Sequence, residues 1–159
     1  MIVARRGAVD DLRGTASKKK FGPGKLREKN AMIPQLLRYQ DVGILLLRLM
    51  VGVIFISSGW GHLKNSAERA KSIGMSKGFT MFLGAAEIAG SLGIIFGVLS
   101  QIAALGLIVL MLGAIQKKIA VWHTGFWGKE GYGWHYDLMM IVMCLMIVFT
   151  DGGRYILLR

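Results

Sequence analysis

Cysteine is nearly absent: Cys144 is the only one in the chain, and it lies inside an apolar run. A disulfide framework, a paired-cysteine redox motif and a cysteine-based zinc site are therefore excluded within one copy. No GxxxxGK[ST] phosphate loop occurs, and no strand precedes Gly131 and Gly133. The first forty residues hold no apolar run of the kind a signal peptide carries, so no cleavable leader is expected and the first span must act as its own insertion signal. Acidic residues are scarce as well. Nine Asp and Glu face twenty Lys and Arg, a net charge of +11.

That charge first suggests a nucleic-acid ligand, but its distribution argues against one. Ten of the twenty basic residues fall in the first forty positions: Arg5, Arg6, Arg13, Lys18, Lys19, Lys20, Lys25, Arg27, Lys29 and Arg38. Only Asp10, Asp11 and Glu28 oppose them there, and no aromatic-laced basic surface follows. A basic tail beside a membrane span is the expected positive-inside signal, drawn to anionic cytoplasmic lipid. Residues 1–40 read as a disordered, basic cytoplasmic tail. The stretch MIPQLLRYQ from Met32 is an alternative start.

Hydrophobic residues make up 53% of the chain and arrive in blocks. Four windows, about 42–60, 79–99, 102–122 and 134–150, each approach the ~20 apolar residues that ~30 Å of hydrocarbon requires. The fold class predicted for residues 41–159 is all-α, an integral membrane four-helix bundle. Ala67–Ile73 fits a short interfacial helix ended by Gly74, and only Ser100 and Gln101 separate the second and third spans. Asp151–Gly153 stops the fourth. With both termini inside, twelve Lys and Arg lie in the cytoplasm against seven outside, which favours that topology. A start at Met32 leaves Arg38, Arg154 and Arg159 inside and reverses the bias.

Ionisable groups within spans are costly and usually face the bundle interior. In the first span Asp41, Arg48, Gly52, Phe55, Gly59 and His62 share one helical face. In the second, Glu87 shares its face with Thr80, Gly84, Gly90 and Ser91, and the small residues permit close helix approach. An axial gap of about 8 Å then predicts that Arg48 and Glu87 pair directly or through water.

His62, Lys117, His123, His135 and Asp137 gather at one membrane face with Trp60, Trp122, Trp127, Tyr132, Trp134 and Tyr136. They form either an aromatic belt with interfacial histidines or a polar-headed pocket, roofed by the HTGFW–GWHYD connector, for a flat amphipathic ligand. No metal is expected, because the spacings of His62, His123 and His135 match no ligand motif. Cys144 is read as a small core residue rather than a nucleophile.

The stretches LLLRLMVGVIFISSGWGHLK, LGAAEIAGSLGIIFGVLSQIAAL and GWHYDLMMIV with DGGRYIL resemble the DoxX family of small four-helix membrane proteins. Arg48, Gly52, Gly59, Lys64, Glu87, Gly90 and Gly97 occupy the places of that family's pattern, and the resemblance covers Asp41 to Leu158. Each motif is degenerate; their order and spacing are what make the resemblance specific. The family takes its name from subunits resembling those of a thiosulfate:quinone oxidoreductase, and other members are implied to be partners in redox-stress complexes. The resemblance thus implies a quinone-linked role in the plasma (inner) membrane of a prokaryote. A quinone tail would lie in lipid and its head between Glu87, His62 and His123. No covalently bound cofactor is expected and no flavin or iron–sulfur motif occurs, so a soluble or membrane redox partner, or a substrate, would supply electrons. The paired cysteines of the related vitamin K epoxide reductase fold are lacking. Two other functions stay open: a non-catalytic scaffold or assembly factor for a soluble partner, and a small-solute transporter, which would need a homo-oligomer.

Overall fold

The computed structural model describes residues 33–128 and 133–158. Most of the basic tail, the alternative start at Met32, Lys129 to Tyr132 of the last connector and Arg159 lie outside the described residues. Two units divide between Arg38 and Tyr39. In the first, the described residues after Ile33 belong to a 3-10 helix that starts at Pro34, a residue whose fixed φ suits a helical turn.

The second unit has five α-helices among its described residues: α1 Gln40–Lys64, α2 Ser66–Ile73, α3 Lys77–Phe96, α4 Ser100–Ala120 and α5 His135–Phe149. Their ends follow local chemistry. The Ser76 hydroxyl accepts the Phe79 amide at 3.2 Å and opens α3. Gly74, Gly97 and Asp151 take left-handed φ of 64°, 67° and 51° after α2, α3 and α5. Beyond each, an amide reaches five residues back: Met75 to Ala70, Val98 to Gly93 and Gly152 to Ile147. These bonds satisfy carbonyls that a helix end leaves orphaned. The short interfacial helix is thus one residue longer than expected and ends at Gly74.

α1 packs chiefly on α3 and α4 chiefly on α5, with α3–α4 and α1–α5 contacts closing an up-down-up-down ring. The core runs through Val51, Phe55, Ile94, Ala104, Leu107, Ile108, Met111, Met140, Ile141, Cys144 and Ile147. The α3–α4 connection is Gly97–Leu99, three residues earlier than the polar pair Ser100 and Gln101 suggests. Hydropathy cannot see that break, because Val98 and Leu99 continue the apolar run. Ser100 and Gln101 instead start α4, where Gln101 donates to the Val148 carbonyl at 2.9 Å.

The distribution of polarity is that of a protein in apolar solvent. Arg48, Thr80, Glu87, Ser91, Ser100 and Asp137 are buried, whereas Leu46, Val53, Ile102, Val109 and Phe149 stand exposed on the helix exteriors. Exposed apolar faces of this extent mark a lipid or protein interface. The stretches Gln35–Lys64, Lys77–Phe96 and Ser100–Ala120 are long and apolar enough to cross a membrane; α5, at 15 residues, is apolar but shorter.

Candidate functional site

The α1–α3 seam is set by two glycines. A Cβ on Gly59 would lie 2.6 Å from the Gly84 carbonyl oxygen, and one on Gly84 would lie 2.7 Å from that of Gly59 and 2.9 Å from His62 Cβ. The two backbones touch there, as small residues in membrane bundles allow. This contact sets the register. Glu87, one turn along α3, is brought beside Gly59, and its carboxylate meets His62 on the last turn of α1. His62 Nδ1 and Glu87 Oε2 are 3.3 Å apart, with side-chain exposures of 13% and 6%. The bond forms equally with an imidazole N–H donating to a carboxylate or with a carboxyl O–H donating to the ring. The Ser91 hydroxyl, fully buried, donates to the Glu87 backbone carbonyl one turn away.

Arg48 does not pair with Glu87. Its Nε donates to the Ile94 carbonyl at 2.7 Å and its Nη2 to that of Ile95 at 2.8 Å. Nη1 donates to the carbonyls of Gly152, at 3.1 Å, and Tyr155. The guanidinium thus caps the C-terminal turn of α3, where orphan carbonyls and the helix dipole favour a cation. The expected pair fails for two geometric reasons. With Glu87 level with Gly59, Arg48 lies eleven residues, or about 16 Å, away along α1. Side chains also lean toward the N-terminus of their own helix, so in this antiparallel pair Arg48 and Glu87 point apart.

A second, partly buried pair lies between α4 and α5, at the end of the bundle that holds His62. Lys118 Nζ is 2.6 Å from Asp137 Oδ2, with exposures of 17% and 8%, and it also approaches the Gly133 carbonyl at 3.4 Å. A lysine this close to a span's end can equally snorkel to the headgroups, so the sequence does not single Lys118 out. The available signal is that Asp137 needs a cation, and Lys118 sits one helix earlier at the matching end. Lys117 and Lys118 are both half-buried, and Lys118 is the one that meets Asp137.

His135 is held by the chain itself: its amide and Nδ1 meet the Phe126 carbonyl at 3.1 and 2.8 Å. Its ring packs near Phe126 and Trp127, and Phe126 meets Trp134 edge-on with centroids 4.6 Å apart. His123 is exposed, with a left-handed φ of 49°, and Lys64 is exposed at the end of α1. The polar residues therefore form separate pairs and contacts. Among the described residues no three of His, Cys, Asp and Glu converge as a metal site would require. Cys144 is fully buried in the core.

The remaining glycines named from the sequence lie against neighbours. A Cβ on Gly52 would strike Ile95, one on Gly90 would sit 3.1 Å from Leu107, and one on Gly97 would lie 2.5 Å from Arg48 Nη2. An open apolar groove of about 460 Å³ runs along the outer face of the α3–α4 hairpin, between Gly93, Phe96 and Ile102. None of His62, Glu87, Lys118 and Asp137 lines it.

The profile of the DoxX family matches residues 43–124. That range holds Arg48, His62, Glu87 and Lys118 and ends before α5. A protein of Mycobacterium tuberculosis (strain ATCC 25618 / H37Rv), named only as an uncharacterized membrane protein, is 29% identical over 141 residues, covering 79% of this chain and 86% of the relative. No solved structure is significantly similar.

Proposed function

Because the chain belongs to the DoxX family, we propose that it is a quinone-interacting membrane subunit of an oxidoreductase, with the His62–Glu87 pair as the polar end of its quinone site. Four helices, α5 included, cross the inner membrane of a prokaryote with both termini in the cytoplasm, and a partner protein supplies the electrons. The observation that carries the proposal is the His62–Glu87 bond itself. A carboxyl group and an imidazole meet at 3.3 Å in a seam walled by apolar helices, although an ionisable group there costs a few kcal/mol to insert. Such a cost is tolerated where the group works. A quinone head offers carbonyl oxygens that accept from His62 or from a protonated Glu87, while its isoprenoid tail suits the surrounding lipid. Reduction of the head takes two electrons, from the partner, and two protons, which reach it from water at the nearby membrane surface, with the pair as the relay that passes them on one at a time.

The test is to purify the protein in mild detergent, extract it with organic solvent, and assay quinone while recording the visible spectrum. Quinone is expected with the wild-type chain and strongly depleted with Glu87→Gln, at unchanged helix content. An intact preparation with neither quinone nor pigment refutes the proposal and leaves a scaffold for a soluble partner as the better account.

A further inference from the structure

α5 is short for a membrane crossing. Fifteen residues rise about 22 Å, against ~30 Å of hydrocarbon. The chain beyond its end is packed rather than loose. After Asp151 it turns across the end of the bundle. A Cβ on Gly152 would meet Ser100 Oγ at 2.5 Å, Gly153 lies against Ile44, and Ile156 lies against Gly97. The backbone then pairs with the α3–α4 turn: Leu157 N–H with the Phe96 carbonyl at 3.2 Å, Leu158 N–H with that of Gly97 at 3.0 Å, and Leu99 N–H with that of Leu158 at 3.0 Å. Arg48, one turn deeper than Ile44 and with no exposed surface, takes up the carbonyls of Gly152 and Tyr155 from below.

Two features of this strap are unlike a segment lying in water. Its outward side chains other than Arg154 are Tyr155, Leu157 and Leu158, exposed by 55%, 75% and 58%, and they extend the bare apolar surface of Phe96, Leu99 and Ile102. Protein partners also meet the amides of Gly152, Gly153, Leu157 and Leu158 and the carbonyls of Gly152, Tyr155 and Leu158, the carbonyls of Gly152 and Tyr155 being met by a buried guanidinium. Water would satisfy those groups without help; hydrocarbon would not. Non-helical backbone at membrane depth persists only where protein satisfies it.

We propose that the strap Gly152–Leu158 is a bilayer-inserted plug, which closes the α3–α4 end of the bundle inside the apolar layer and rests Leu157 and Leu158 on lipid acyl chains. The plug supplies the depth that α5 lacks, and Arg48 is the residue that makes its backbone tolerable there. Depth is bounded on the solvent side by Arg154, whose side chain is 85% exposed and reaches Asp41 at 3.8 Å. The plug requires that α5 be a membrane crossing, as proposed above.

Spin labels separate the plug from the crossing. In the full chain carrying Cys144→Ala, single substitutions Leu157→Cys, Leu158→Cys, Val142→Cys and Arg154→Cys are spin-labelled in vesicles of phosphatidylcholine and phosphatidylglycerol. Accessibility to oxygen is compared with accessibility to a water-soluble nickel chelate. All four sites are exposed, so the labels need displace no packed neighbour. The proposal expects labels at 157 and 158 to favour oxygen, as at 142, and the label at 154 to favour nickel. Labels at 157 and 158 that favour nickel while 142 favours oxygen overturn the plug and spare the crossing. Nickel access at 142 overturns the crossing itself. Labels at 157 and 158 shielded from both reagents show protein contact, such as a second copy, and also overturn the plug.

Discussion

Replacing Arg48 with methionine isolates the largest polar commitment in the bundle. Methionine matches much of the length and keeps the apolar stem, so the loss is that of four hydrogen bonds to the carbonyls of Ile94, Ile95, Gly152 and Tyr155. Hydrogen bonds within membrane bundles average ~0.6 kcal/mol, which puts the lower figure near 2.5 kcal/mol. Leaving buried carbonyls unpaired costs ~1–3 kcal/mol each when nothing replaces the donor. Since Gly97 and its neighbours can relax, about 3–5 kcal/mol is expected, the range for breaking a buried charged network. The assay is reversible unfolding in mixed micelles of dodecyl maltoside and dodecyl sulfate, with amide exchange at Leu157 and Leu158 as a local probe. Both amides should exchange much faster in Arg48→Met. Arg48→Lys should recover only part of the loss, because one ammonium cannot reach carbonyls on α3 and on the C-terminal strap together. The decisive comparison adds Glu87→Gln. Separated by about 16 Å, the two sites should add to within ~0.5 kcal/mol. A cost below about 1 kcal/mol for Arg48→Met, or a coupling to Glu87 above it, would sink the assignment of Arg48 as a carbonyl clamp.

Two further pairs of substitutions test the seams. Gly59→Ala should cost about 1–3 kcal/mol in the same micelle assay, since its Cβ meets the Gly84 backbone oxygen and backbone gives way only by shifting a helix. Gly106→Ala, with nothing within 4 Å, should be neutral or stabilising by up to ~1 kcal/mol; equal effects at both sites would refute the close α1–α3 contact. Lys118→Met and Asp137→Leu should each destabilise by about 3–5 kcal/mol, while the double substitution recovers most of it. No recovery in the double variant would show that the two side chains are not partners.

The candidate site is only half legible in the sequence. The shared face of Arg48, Gly52, Gly59 and His62 follows from helical spacing alone, as does the face of Thr80, Gly84, Glu87 and Ser91. That Glu87 has a partner on the first helix is therefore readable; which partner is not. Choosing between Arg48 and His62 requires the axial register of α1 on α3, and that is settled where Gly59 and Gly84 let the backbones touch. The role of Lys118 is not legible for a related reason. A lysine near a helix end can snorkel or pair, and only the position of α5 beside α4 decides which. The C-terminal strap leaves no periodic signal, because RYILLR reads equally as a short tail or as an interfacial segment.

What the sequence by itself determined is what depends on summed local preference. Apolar blocks, helix faces, the stops at Gly74 and Asp151, and the polar-in, apolar-out distribution are written in residue type and spacing. What only the tertiary structure decided is every pairing across helices: His62 with Glu87, Lys118 with Asp137, and Arg48 with four carbonyls from two segments. A hydrogen bond needs its atoms within a few tenths of an ångström and its donor aimed. A one-turn slip of one helix moves a side chain by about 5 Å. Spacing along the chain carries no information on that scale. Contact between two glycines does.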